Sequence, residues 1–181
     1  MNPPFFTIGH SNRDIKAFVE LLRENQVDYL VDIRTVPRSR ANPQFNKDSF
    51  PAVLAEFHIS YEHVAALGGL RGRGRSVPPD VNGFWTNESF HNYADYALSA
   101  QFQAGFEHLV EVGRTWSCAI MCSEAVWWRC HRRVVADYLL AHGEAVFHIM
   151  GPRRVTAARI TPNAQIRADG SIVYPATKSS D

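Results

Sequence analysis

A short apolar run followed directly by a helical segment is the feature that most constrains the fold of this chain. Residues 116–121 are mostly apolar, and a run of this length is typical of a buried strand. Residues 129–140 predict a helix. The polar side chains at this junction are Cys122, Glu124, Cys130, His131 and Arg132. Open α/β sheets bind ligands at the carboxyl ends of their strands, so the junction predicts a functional site without naming its reaction.

Strands and helices alternate along the rest of the chain. Further strands are predicted at residues 5–8, 29–33, 59–64 and 145–149. Helices are predicted from a cap at Asn12 or Asp14 to about residue 25, at 47–57, and at 90–112 as one helix or two. Beyond residue 151 the periodicity is weak, residues 172–174 could add an edge hairpin, and residues 178–181 should fray. This order predicts one α/β domain, residues 1–181, with a mainly parallel sheet.

Size and composition place the chain among ordinary globular proteins. Its 181 residues suit one domain, with 45% hydrophobic and 20% charged residues. The sequence contains no apolar run long enough to cross a membrane, and its start does not resemble a signal peptide. Three cysteines without a secretory signal predict reduced thiols, so we expect a cytoplasmic protein with no membrane partner.

Arginines are clustered although the net charge is only +1. The clusters are Arg34, Arg38 and Arg40; Arg71, Arg73 and Arg75; and Arg129, Arg132 and Arg133. Clustered guanidinium groups in a nearly neutral chain indicate an anionic partner.

Polar residues follow several of the predicted strands. Because the carboxyl ends of parallel strands meet at one edge, we expect a single cleft there. The residues assigned to it are His10, Ser11, Arg34, Arg38, Ser39, Cys122 and Glu124. Asp32 lies inside a strand that should otherwise be apolar. Taken singly, each group could serve its own loop, with Asp32 pairing with Arg34 and Glu124 with Arg132.

The cysteine segment allows several chemistries. Cys122 or Cys130 could be a thiolate nucleophile, and the start of the helix and its arginines would favour a thiolate at Cys130. Glu124 and His131 could perform acid–base catalysis. With His10, the thiols and His131 offer zinc or iron ligands, but the C-x7-C-H spacing lacks the short pairs of structural zinc sites, so we expect no tightly bound metal. The cysteines could also be small buried apolar groups.

Two segments could bind phosphate. His131 and Arg132 stand at a helix start, where N–H groups and a guanidinium can hold an anion. Glycines between Arg71, Arg73 and Arg75 would let that loop follow a phosphate backbone, or the loop could simply be solvated. The aromatic residues considered for base stacking, or alternatively for the core, are Phe45, Tyr61, Phe84, Trp85, Trp127 and Trp128. His148 is predicted to be a core histidine.

Five separated motifs resemble a known family. They are Thr7-Ile-Gly-His10-Ser11, Val31-Asp32-Ile-Arg34-x-x-Pro37-x-Ser39, Tyr61 with Leu67-Gly68-Gly69, Cys122-x-Glu124 with Cys130-His131-Arg132, and Val146-x-His148-Ile149. In this order they resemble the bacterial domain-of-unknown-function 488 family. The resemblance implies a compact, three-layer Rossmann-like domain with a core at about 7–150, an extension at 151–181, and motifs gathered at one edge. Residues implied to orient the site are Asp32, Tyr61, Gly68 and Gly69.

The resemblance brings no established activity, so the function rests on the residues themselves. They favour an enzyme that acts on a nucleotide or nucleic acid through a phosphate site. A nucleic-acid-binding module linked to DNA maintenance and a Cys/His metal or redox sensor are the alternatives. Substrate, cofactor and oligomeric state stay open.

Overall fold

A computed structural model describes residues 2–177 of the chain; the fraying predicted for residues 178–181 lies outside this part. Strands and helices alternate as the sequence predicts. The strands are β1 (Phe5–Gly9), β2 (Tyr29–Asp32), β3 (Ser60–His63), β4 (Cys118–Cys122), β5 (Val146–Gly151), β6 (Arg154–Ala157), β7 (Gln165–Ile166) and β8 (Ile172–Val173). The helices are α1 (Ile15–Glu24), α2 (Phe50–Glu56), α3 (Glu88–Tyr96), α4 (Ala100–Thr115) and α5 (Arg132–Ala141). Short 3-10 turns span Pro43–Phe45, Ala65–Leu67 and Trp127–Arg129.

A six-stranded sheet forms the middle layer, in the order β3-β2-β4-β1-β5-β6. The first five strands in this order run parallel, and β6 is an antiparallel edge strand. Helices cover both faces, so the predicted mainly parallel, three-layer Rossmann-like architecture is confirmed.

The two faces of the sheet carry separate hydrophobic clusters. Side chains of a strand alternate between faces, so neighbouring residues Leu30 and Val31 on β2 belong to different clusters. One cluster includes Phe18 and Leu22 of α1. The other includes Leu109 of α4 together with residues of α3 and α5. The sheet is therefore buried on both sides, and its open positions lie at the strand ends.

Two helix boundaries depend on side-chain caps. Asp14, not Asn12, caps α1 by accepting from the Ala17 backbone N–H at 2.7 Å. Ser99 accepts from the Phe102 N–H at 3.2 Å and begins α4, so the predicted segment 90–112 forms two helices. The helix predicted to begin at residue 129 begins instead at Arg132, since a 3-10 turn precedes it.

The C-terminal segment packs on the core of the main sheet. The hairpin predicted around residues 172–174 forms with β7 as a separate two-stranded sheet and does not extend the main one. The Tyr174 hydroxyl donates to the Asp137 carboxylate at 2.8 Å, and the Tyr174 N–H donates to Asn82 Oδ1 at 2.9 Å. Because Asp137 on α5 also accepts from the Thr161 N–H, the segment after residue 150 is tied to the helix layer.

The topology leaves a crevice between two neighbouring strands. After β2 the chain moves outward to β3, whereas after β4 it crosses toward β5 on the other side of β1. The loops that leave β2 and β4 therefore separate above the sheet. In open α/β sheets, such a reversal at the carboxyl edge is where ligands bind.

Candidate active site

A cleft of about 460 Å³ lies between the loops that follow β2 and β4. This volume suits a small ligand. The lining residues that the sequence placed at the edge are Arg34, Arg38, Gly69, Cys122, Glu124, Cys130 and His131. The other lining residues are Thr35, Val36, Leu70, Asn87, Ser89, Phe90, Ser123 and Arg129.

A buried ion pair forms the wall on the β2 side. The Arg34 guanidinium donates to both carboxylate oxygens of Asp32, through Nε at 2.9 Å and Nη2 at 2.7 Å. The Tyr61 hydroxyl donates to the same carboxylate at 2.5 Å, and burial raises the pKa of this tyrosine. Arg34 Nη2 also donates to the Phe45 carbonyl at 2.7 Å. Asp32 and Tyr61 thus hold Arg34 in one orientation at the cleft.

His10 lies behind Arg34 and does not line the cleft. Its Nδ1 is 2.7 Å from the Ser11 carbonyl, which can only accept, so Nδ1 carries the proton and Nε2 is an acceptor. Nε2 lies 3.4 Å from Arg34 Nη1, and the ring stacks on Phe45. Burial lowers the pKa of His10, which keeps the ring neutral beside the guanidinium.

Arg132 is fully buried beneath the β4 side of the cleft. Its Nη1 donates to Cys122 Sγ at 2.9 Å and to the Glu124 carbonyl at 2.6 Å, and its Nη2 donates to the Ala125 carbonyl at 3.1 Å. Burial lowers its pKa to about 10. Within residues 2–177, no carboxylate forms an ion pair with this guanidinium, and its Nε has no hydrogen-bond partner.

This position bears on two roles that the sequence suggested for Arg132. The guanidinium is bound by the Glu124 backbone carbonyl and not by the Glu124 carboxylate, which was one of the alternatives. The buried guanidinium does not line the cleft, and its role in binding an anion stays a prediction. Gly9 permits this close packing, because a Cβ there would overlap the Glu124 carbonyl and approach Arg132 Nη1.

The two site cysteines meet at the floor of the cleft. The Sγ atoms of Cys122, at the end of β4, and Cys130, just before α5, are in contact. The sequence predicted three reduced thiols and did not anticipate this pairing. Cys118 stands apart inside β4, and its burial raises the pKa of its thiol.

His131 has a defined tautomer. Its Nε2 is 2.8 Å from the Ile33 carbonyl and must carry the proton, which leaves the Nδ1 lone pair facing Cys130 Sγ at 3.5 Å. The ring packs against Gly69, where a Cβ would overlap it. Burial lowers the pKa of His131 to about 4, so the ring is neutral near pH 7. In this geometry His131 Nδ1 can accept a hydrogen bond from the Cys130 thiol, and the acid–base role that the sequence suggested for His131 stays a prediction.

Arg71 and Arg73, which the sequence predicted to bind an anion, differ in their surroundings. Arg71 donates to the carbonyls of Gly68 and Ala65 at 3.0 and 2.8 Å and lies over the Tyr96 ring. Arg73 is exposed and lines a separate cavity with His91. Neither Arg71 nor Arg73 lines the cleft, and the shared ligand expected for this loop and the start of α5 stays a prediction.

Two serines predicted for the anion site also lie away from the cleft lining. Ser39 Oγ accepts from the Asn42 N–H at 3.0 Å and shapes the loop after β2. The Ser11 carbonyl holds the His10 ring, and the Ser11 N–H donates to the Ser123 carbonyl at 3.0 Å. Both serines support the loops that form the cleft.

The apolar wall of the cleft consists of residues that the sequence did not single out. Val36 and Leu70 are exposed, and Phe90 stacks on Trp85 with ring centroids 4.6 Å apart. None of the aromatic residues considered for base stacking lines the cleft. Trp127, for example, stacks on the buried His148, which is a core histidine as predicted. The missed signal is an apolar residue in a polar loop, as at Leu70.

Residues 2–177 contain neither a cluster of metal ligands nor a membrane-spanning helix. No group of three or more His, Cys, Asp or Glu side chains is arranged to hold a metal ion. None of the helices in this range has the length and apolar character needed to span a membrane.

The comparisons with known proteins support the family resemblance. A family model described as a domain of unknown function, DUF488, matches residues 14–139, well over half of the chain. No curated protein and no solved structure matches this chain significantly. The match spans β2, β3 and β4 and the loops that line the cleft, from Arg34 to His131. The chain therefore belongs to the DUF488 family.

Proposed function

We propose that this protein is an enzyme that acts on a phosphate-bearing nucleotide through a thiolate at Cys122. The observation that carries the proposal is the buried Arg132 guanidinium, which has no carboxylate partner among the described residues and donates to Cys122 Sγ at 2.9 Å. A buried cation needs a compensating negative charge. A thiolate at Cys122 supplies it, and a thiolate is the nucleophilic form of cysteine.

The cleft above Cys122 suits a ligand with an anionic part and a flat apolar part. Arg38 and Arg129 line the cleft, and Arg129 forms no ion pair within residues 2–177. Guanidinium groups bind phosphate oxygens through paired N–H donors. Leu70 and Phe90 also line the cleft and offer apolar surface on which a base can pack. A nucleotide has both parts and fits the cleft volume.

The chemistry assigned to the site is nucleophilic. The Cys122 thiolate attacks an electrophilic centre of the nucleotide, and the bond from that centre to its leaving group breaks. The Glu124 carboxyl group, which lines the same cleft and is exposed, gives a proton to the leaving group and then takes one from the water that releases the product from Cys122. His131 remains neutral and orients Cys130. Arg34, whose charge Asp32 balances, lines the cleft in a fixed orientation.

Alkylation of Cys122 tests the proposal. We expect reduced protein to react with iodoacetamide at Cys122 faster than the same thiol in urea-unfolded protein at pH 6.5, read by mass spectrometry. A nucleoside monophosphate at ten times its Kd should slow this reaction about tenfold, whereas the matching nucleoside without phosphate should not. Arg129→Gln should weaken the protection. Equal protection by both compounds, or slower reaction than in the unfolded chain, contradicts the proposal.

Turnover separates catalysis from binding. Once a substrate is identified among the protecting nucleotides, Cys122→Ser and Glu124→Gln should each retain binding and lose turnover, because both groups act on the reacting atoms. Cys118→Ser is the matched control, since Cys118 lies inside β4 away from the cleft. Full turnover by the Cys122→Ser variant contradicts the assignment of the nucleophile.

A nucleic-acid-binding module is the second candidate, favoured by one observation. Arg73 and Arg75 are exposed, lie a few residues after Leu70 of the cleft lining, and form no ion pair within the described part of the chain. Free guanidinium groups on a glycine-rich loop can follow a phosphate backbone. In that case the cleft holds one nucleotide of a longer strand.

A further inference from the structure

The second thiol at the floor of the cleft is not used by the proposed nucleophilic reaction. Cys130 is 5% exposed and Cys122 is 2% exposed, yet both line the cleft, and their sulfur atoms are in contact. The two residues come from different elements, β4 and the start of α5. Packing that brings two thiols together at a ligand cleft indicates a function for the pair.

The surroundings of the two sulfurs differ in a way that separates their roles. Arg132 Nη1 donates to Cys122 Sγ at 2.9 Å, which favours the thiolate there. Cys130 Sγ faces the Nδ1 lone pair of His131 at 3.5 Å, and an unprotonated nitrogen accepts a hydrogen bond from a thiol S–H. The site therefore presents one thiolate as attacking group and one thiol as its partner.

We propose that Cys122 and Cys130 form a thiol–disulfide redox couple that reduces a small, negatively charged disulfide. The Cys122 thiolate attacks one sulfur of the substrate, the substrate S–S bond breaks, and one thiolate leaves. Cys130 then loses its proton to solvent and attacks Cys122 Sγ, and the second substrate thiolate leaves. The substrate gains two electrons, and the protein holds a Cys122–Cys130 disulfide that an external dithiol can reduce.

The charge of the cleft determines the substrate class. Arg129, which forms no ion pair within residues 2–177, and Arg38, whose pair with Asp48 is exposed to solvent, line it against Glu124, whereas Asp32 balances the charge of Arg34. A disulfide with carboxylates is therefore attracted, and one with amines is repelled. This inference shares with the proposed function only the thiolate at Cys122; it does not require a nucleotide.

Disulfides of opposite charge and similar size provide the test. Reduced full-length protein is mixed with dithiodipropionate or with cystamine, quenched with acid and N-ethylmaleimide, and analysed by mass spectrometry. We expect dithiodipropionate to oxidise the peptide that contains both cysteines, with the loss of two hydrogen atoms, about tenfold faster than cystamine does. The Cys130→Ser variant should stop at a mixed disulfide on Cys122, and Cys118→Ser should react like the wild type.

Several outcomes overturn the couple. One is a wild-type protein whose mixed disulfide on Cys122 persists, because Cys130 then does not resolve it. Another is a faster reaction with cystamine, which rejects the substrate class. Nucleotide protection of Cys122 in the Cys130→Ser variant is read separately. Nucleotide protection without disulfide formation in the wild type supports the proposed function and rejects the couple. Disulfide formation in the wild type without nucleotide protection supports the couple and rejects the proposed function.

Discussion

Two arginines are buried at the carboxyl ends of neighbouring strands, and they differ in what balances their charge. Arg34, after β2, is 5% exposed and is held by a carboxylate, since Asp32 accepts from both Nε and Nη2. Arg132, after β4, is fully buried and is bound by two backbone carbonyls and the Cys122 sulfur. The positive charge of Arg34 is therefore balanced by a carboxylate, whereas within residues 2–177 no carboxylate balances the charge of Arg132.

This difference explains why chemistry is expected on one side of the cleft. A guanidinium matched by a carboxylate fixes loop geometry and keeps its charge balanced in every state of the site. A guanidinium whose charge is met only by backbone dipoles favours the anionic form of a neighbouring titratable group. Cys122 is that neighbour, so the proposed function expects the reactive group on the β4 side.

The largest expected effect is the loss of the complete pair. Asp32→Asn removes the carboxylate and leaves Arg34 buried without a counter-ion, so the free energy of unfolding should fall by about 3–5 kcal/mol in urea denaturation. Asp48→Asn is the matched control. Both side chains of the Asp48–Arg38 pair are exposed, so this pair should contribute less than about 1 kcal/mol. Equal losses in the two variants would contradict a structural role for the Asp32–Arg34 pair.

An effect that is smaller for each residue should appear with pH on the Arg132 side. Burial, with the nearby Arg132 charge, lowers the pKa of both His131 and His148 to about 4, whereas unfolded histidine titrates near 6.5. The unfolded chain therefore binds more protons between these values. Stability from the neutral rings is complete above about pH 6.5 and is lost as the pH falls toward 4, by at most about 3 kcal/mol per histidine.

Urea denaturation at pH 7.5 and pH 5 measures this loss. Replacing His131 and His148 together with glutamine should flatten the pH dependence, whereas replacing the exposed His58 with asparagine should leave it unchanged. If the free energy of unfolding of the double variant falls with pH as much as that of the wild type, groups other than these two histidines control the stability in acid.

The smallest effect concerns arginines that no buried partner holds. If Arg73 and Arg75 contact phosphates, changing both to glutamine should reduce the slope of log affinity against log salt for a single-stranded oligonucleotide by about 1–2, measured by fluorescence anisotropy. Arg71→Gln is the contrast, because Arg71 anchors the loop to Ala65 and Gly68. An unchanged slope in the double variant removes support for the nucleic-acid-binding module.

Local patterns predicted the sheet and the edge at which the site forms. The apolar run before Cys122 and the alternation of strands with helices indicated a parallel sheet, and parallel strands end at one edge. Asp32 inside a buried strand already suggested Arg34 as its partner, two residues away. These inferences succeeded because the interacting groups are close in sequence.

Other features of the site depend on residues that are distant in sequence. His131 is held by the Ile33 carbonyl, Arg132 is packed against Gly9, and Leu70 and Phe90 close the cleft from loops with no strong pattern. Aromatic composition suggested stacking side chains, but most of those rings contribute more by filling the core than by facing a ligand. A residue type alone does not say which of these environments it will occupy.

The sequence by itself determined the periodicity of the strands, the pairing of Asp32 with Arg34 and the gathering of polar motifs at one edge, because these follow from spacing along the chain. Only the tertiary structure decided that the Arg132 guanidinium contacts a sulfur and two backbone carbonyls, and that no carboxylate in residues 2–177 pairs with it. That choice depends on burial and on backbone carbonyls from distant loops, since these set the electrostatic environment of each side chain.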